Sequence, residues 1–127
     1  MKKILTVALF GMAALACSTA SAGSLDGWSQ LTGDDNHGLY LQKPLPNSAV
    51  LKKLGMNVRA INKDKGTDSA ILYKADCEKQ TVSMVAGVDI AADGSIGQTH
   101  PFPKDQIITE KATVGTVYGK LMTLICQ

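Results

Sequence analysis

Residues 70–99 read AILYKADCEKQTVSMVAGVDIAADGSIGQT, and the fold class turns on this stretch. Ala70 through Cys77 reads as a strand, Glu78-Lys79-Gln80 as a turn, and Thr81 through Ile90 as the next strand. Asp93-Gly94 follows at once. That dipeptide favours the positive φ angles of a tight hairpin, so Ser95 to Thr99 is expected to return as a further strand. Strands joined by such short turns must run antiparallel. Pro101-Phe102-Pro103 then marks a loop that leads out of the sheet.

Upstream, Gly27-Trp28-Ser29-Gln30-Leu31-Thr32 reads as a first strand, Gly33-Asp34-Asp35-Asn36 as a turn, and Leu39-Tyr40-Leu41 as a second strand. Trp28, at the start of a strand, is expected to plug the core. Pro44 and Pro46 end the hairpin, because proline cannot donate to a ladder. Asn47 or Ser48 is placed to cap a short helix carrying Val50, Leu51 and Leu54, which Gly55 stops. Met56, Val58 and Ala60 alternate with Asn57, Arg59 and, less cleanly, Ile61, which is strand periodicity. Asn62 to Gly66 is a charged turn, and the total comes to about six strands.

Downstream, Val114, Val117, Tyr118, Leu121, Leu124 and Ile125 recur at three- and four-residue intervals behind Thr113, a possible N-cap. Gly115, Gly119 and several β-branched residues oppose a helix. The periodicity favours one nonetheless, and its last turn would carry Cys126 onto Cys77. The expected class is therefore α+β, an antiparallel sheet with a C-terminal helix.

Lys2-Lys3, the apolar run Ile4 to Ala16 and the small-residue site Ala20-Ser21-Ala22 have the order of a secretory signal peptide. The run is shorter than the roughly 20 residues a membrane-spanning helix needs. Residues 1–22 are thus expected to be removed, leaving a single domain over 23–127 with no transmembrane span. A lipid anchor on Cys17 is the alternative, although Ala14-Leu15-Ala16 inverts the usual order before a lipidated cysteine. Cys77 and Cys126 remain after cleavage, and two cysteines in an exported domain read as one disulfide. Closing a loop of roughly 50 residues is worth about 4 kcal/mol in the chain-entropy model.

With 127 residues, 45% of them hydrophobic, the chain can form one core and not two. Its formal charge of +2 comes from Lys2 and Lys3, so the remaining domain is neutral and general nucleic-acid binding is excluded. His37 and His100 lie in turn-rich runs away from any nucleophile motif, so an enzyme is not expected. Asp89 to Gly94 matches a calcium loop at too few positions, and no phosphate-cradling glycine loop is present, so neither metal nor cofactor is expected. The densest basic stretch is Lys52, Lys53, Arg59, Lys63 and Lys65, a candidate surface for an acidic partner or glycan, weighed against a merely solvated face.

Early Trp28, the strands Leu39-Tyr40-Leu41 and Asn57 to Ile61, the path from Ser69 through Tyr73-Lys74-Ala75 to Asp76-Cys77, the Asp93-Gly94 hairpin and the closing Ile125-Cys126 occur in one order. That order resembles the surface-adhesin protein E domain of Gram-negative bacteria. The resemblance implies an antiparallel sheet with a C-terminal helix packed on one face and a helix-to-sheet disulfide. It also implies attachment to host extracellular proteins at the cell envelope, as in virulence-associated adhesins. Only Cys77 and Cys126 carry over residue by residue. The expected function is an exported, non-enzymatic protein-binding domain, periplasmic, surface-exposed or secreted. The alternative is a periplasmic inhibitor or immunity-type protein that inserts a loop such as Pro101-Phe102-Pro103 into an enzyme.

Overall fold

The computed structural model describes residues 24–127, so the expected signal segment, Cys17 and the Ala20-Ser21-Ala22 site lie outside the described residues. Strands β1 (Trp28–Gly33) and β2 (His37–Gln42) form the first hairpin, and helix α1 (Ser48–Leu54) precedes β3 (Met56–Asn62). Then come β4 (Thr67–Asp76), β5 (Thr81–Ile90), β6 (Ile96–Pro101), a single 3₁₀ turn (Lys104–Gln106), β7 (Ile108–Lys111) and α2 (Val117–Ile125). Every strand pairing is antiparallel, and β1 to β5 follow one another across the sheet. No helix among the described residues is long and apolar enough to cross a membrane.

The outer edge of β5 is shared. β6 pairs with its second half, Ala86 to Ile90, and β7 with its first half, Thr81 to Met84. β7 was not expected from sequence, because Ile108-Thr109-Glu110-Lys111 is a short, fully exposed strand with no alternation to reveal it. β6 also reaches Pro101, whose missing N–H is tolerated on an edge.

Where chain length suggested a single core, alternation divides the side chains of the sheet between two, one on each face. On one face Leu41, Met56 and Val58 pack with Leu51 of α1 and with Leu121 and Ile125 of α2. Each buried aliphatic side chain there contributes about 1.5–3 kcal/mol. On the other face Trp28, Tyr40 and Ile61 cluster with Ile90 and Ile96. The sheet curls onto this second face until the β5–β6 hairpin meets the segment before β1. The Ser24 amide donates to the Ala92 carbonyl, and the Trp28 indole N–H to the Gly94 carbonyl at 2.7 Å. Trp28 is thus a core residue, and Ile61 broke the alternation because both faces of β3 are covered.

The local signals mostly act where expected. Asn47 caps α1 by accepting the Val50 N–H, and Gly55 at φ 92° ends it. α2 starts later than its periodicity suggested. Gly115 sits at φ 88°, outside the right-handed helical region, so Thr116 and not Thr113 is the N-cap, accepting the Gly119 N–H. Val114 is left outside the helix, 96% exposed. Cys77, just past β4, bonds Cys126, which caps α2 at its C-terminus, with Cα atoms 5.9 Å apart. The helix is thereby stapled to the β4–β5 turn.

Candidate functional site

The structure splits the basic run. Lys52 and Lys53 lie exposed in the last turn of α1, directly before β3, whereas Lys63 and Lys65 lie in the turn directly after it. Seven strand residues at about 3.3 Å each put the two pairs on the order of 20 Å apart, at opposite ends of the sheet. Arg59, midway along β3, points into the second core and is 0% exposed. It therefore does not belong to a basic surface, and the five residues do not form one site.

Arg59 is held as a buried charge must be. Its Nε and Nη2 donate to the two Asp68 carboxylate oxygens at 2.9 and 2.7 Å, and Nη1 donates to the Ser24 carbonyl at 2.7 Å. The guanidinium carbon lies 5.4 Å from the Trp28 ring centroid, within cation–π range. Strand pairing explains the geometry: Arg59 faces Tyr40 on β2 and Ala70 on β4, and Asp68 is one same-face step along β4. Sequence alone marks Arg59 only as a charge in an alternating strand. Its charge partner Asp68 lies nine positions on, across the β3–β4 hairpin, and its carbonyl acceptor Ser24 comes from 35 positions away.

Charge is unevenly divided between the two ends of the sheet, although both ends carry both signs. The end with the exit of β2, α1 and the β4–β5 turn bears exposed Lys43, Lys52, Lys53, Lys74 and Lys79. Exposed Glu78, Glu110 and Asp76 are fewer than these lysines, and Asp76 accepts the Glu78 and Lys79 amides of its own turn. The opposite end gathers Asp34, Asp35, Asp64, Asp89 and Asp93 around Lys63 and Lys65. His37 Nε2 lies 2.9 Å from Asp64 and His100 Nε2 2.8 Å from Asp89, all exposed. Amide donors from His37 and Asn36 hold the Asp34 carboxyl below its ordinary value. The Ser95 hydroxyl, then the Ser95 amide, does the same for Asp93. Asp93 is thereby a hairpin residue, with Gly94 at φ 89° beside it.

The basic end also exposes apolar surface. Only Leu51 of α1 turns into the core. Val50 and Leu54, one helical turn apart, remain 38% and 59% exposed on the face that carries Lys53. A Cβ on Gly55 would lie 2.6 Å from the Tyr73 carbonyl oxygen and 3.1 Å from Lys74 Cγ, so the end of α1 presses on β4 and Lys74 joins the patch. Sequence reading named Val50, Leu51 and Leu54 as the apolar residues of this helix without saying which are buried. Of the three, only Leu51 reaches the sheet face, where it packs with Met56 and Val58.

The remaining sequence candidates are anchored. Pro101-Phe102-Pro103 does not project, since the Phe102 amide donates to the Val85 carbonyl and its ring lies over Gly87. Among the described residues no group of three or more His, Cys, Asp or Glu side chains converges as metal ligands would. Each histidine ring faces an aspartate, and Cys77 is committed to its disulfide. No family model matches the chain, and neither the curated proteins nor the solved structures contain a match to it.

Proposed function

We propose that this chain is an exported, non-enzymatic protein-binding domain, adhesin-like in the sense of the protein E family it resembles, whose basic end docks on an acidic surface of a host or envelope protein. The observation that carries the reading is the pairing of exposed Val50 and Leu54 with Lys52, Lys53 and Lys74 around α1. Lysines steer an acidic partner into place, and desolvated aliphatic groups beside them supply affinity. The Cys77–Cys126 disulfide suits an oxidising compartment, and the signal-like residues 1–22 would deliver the chain there. The inhibitor alternative draws no support from Pro101-Phe102-Pro103, because Phe102 is pinned to β5.

The split of the basic run makes the test internal. A partner captured with the exported protein and then purified should associate at least about tenfold more slowly with a Lys52→Glu/Lys53→Glu variant at low salt. A Lys63→Glu/Lys65→Glu variant should associate at the wild-type rate. The difference should shrink as the Debye length falls from about 10 Å at 0.1 M salt to about 3 Å at 1 M. Both variants should melt with the wild type, because exposed charges contribute little to stability. Equal association of the two variants would overturn the assignment.

A further inference from the structure

β1 is an open edge. Among the described residues it pairs only with β2, and no other strand among them lies along its outer side. The Lys43 amide donates to the Gly27 carbonyl, so in an antiparallel ladder Ser29 bonds inward and Trp28 and Gln30 turn their backbone groups away from β2. The Trp28 N–H is taken by the Leu25 carbonyl. That leaves the Trp28 carbonyl and both Gln30 groups aimed outward. Beyond them a register shift and the Gln30 side chain, which donates to the Thr32 and Asp34 carbonyls, close the far half of the edge. The other rim of the sheet is less receptive, since Pro101 and Pro103 supply no amide donors and β7 is four residues long.

Alongside the open half lies a groove of about 330 Å³, lined by Leu31, Leu41, Leu45 and Leu124 together with Ser29 and Lys43. Ser29 and Leu31 share a face of β1, so a strand added to this edge would direct alternate side chains into the groove. Lys43 is exposed and belongs to no ion pair among the described residues. Extended backbone, an apolar side chain and a carboxylate two positions away on the same face therefore meet three complementary features at once.

From this geometry we infer that β1 accepts an extended acidic peptide segment of a partner protein by strand addition, with an apolar side chain in the leucine groove and a carboxylate at Lys43. The inference rests on the protein-binding reading and adds a second, separate contact to the α1 surface. It is tested with a purified peptide and not with the captured partner, so failure here leaves the α1 assignment to its own experiment.

The probe is the capped heptapeptide TETLTET, whose leucine has a glutamate two positions away on the same face in either direction. Titrated into isotope-labelled protein from the exported fraction, it should bind saturably in the micromolar-to-millimolar range and shift amides of Trp28 to Leu31, Lys43 and Leu124. Replacing its leucine by alanine should weaken binding about tenfold. Lys43→Glu should weaken it about fivefold without moving the melting temperature. N-methylating the amides that face β1 should abolish binding. No saturable response at millimolar peptide, or shifts confined to other surfaces, would overturn the inference. So would a concentration-dependent dimer that pairs β1 with β1 and excludes the peptide, since a second copy would then own the edge.

Discussion

Asp68→Asn should destabilise the domain far more than a carboxylate-to-amide change at its surface would. The substitution keeps shape and volume but removes the charge that faces Arg59, which is 0% exposed and contacts both Asp68 oxygens below 3.0 Å. Two unit charges about 4 Å apart attract by about 4 kcal/mol at an effective dielectric constant of about 20. Breaking a buried pair costs about 3–5 kcal/mol, because the surviving charge loses its compensation. The Asp68 side chain is 18% exposed, which lets water screen part of this, so the lower end, about 3 kcal/mol, is the expected loss. For a domain of this size that lowers the melting temperature by about 12 °C or more. Urea denaturation followed through Trp28, the only tryptophan and the neighbour of Arg59, reads the loss directly. Replacing both partners, Arg59→Met/Asp68→Leu, should recover most of it, leaving a deficit of about 1 kcal/mol for the Ser24 carbonyl that loses its donor. A single variant within about 1 kcal/mol of wild type would refute the argument. So would a double variant no more stable than the single, since charge would then not be the cause.

Reducing the Cys77–Cys126 bond, which closes 49 positions of chain, should lower the melting temperature by well over 10 °C, from about 4 kcal/mol of denatured-chain entropy. Scanning calorimetry with and without reductant checks this, and an unchanged midpoint would reject it. Tyr73 should titrate above its ordinary value of 10.0, because burial disfavours the phenolate and neighbouring Tyr118, 6.2 Å away ring to ring, adds repulsion. A group whose pKa is raised by folding stabilises fully below its unfolded value and loses that contribution as pH climbs through the folded one. Stability should therefore fall above pH 10, and Tyr73→Phe should flatten the fall, as ultraviolet titration and alkaline melting curves would show.

Local signals carried most of the architecture. Alternation in β3, β4 and β5, proline after β2, the Asn47 cap and the Asp93-Gly94 turn each act within a few residues, so a linear reading finds them. The cysteine pairing was legible for another reason, since the expected cleavage after Ala22 would leave only one partner for each. Missed features share the opposite property. β7 exists because β5 has a free edge to offer, and the start of α2 depends on the conformation Gly115 adopts.

The candidate surface was half legible. Sequence alone marked Lys52 and Lys53 as candidate surface cations and residues 23–127 as one domain with no net charge. Only tertiary structure decided that Lys63 and Lys65 stand at the far end of β3, because a strand converts a short separation in sequence into a long one in space. Only the curl of the sheet decided that Arg59 is internal: it brings Ser24 and the β5–β6 hairpin over a face that strand periodicity leaves open to solvent. Periodicity determines which residues share a face, whereas what covers that face depends on twist accumulated over successive strands and on contacts between distant segments.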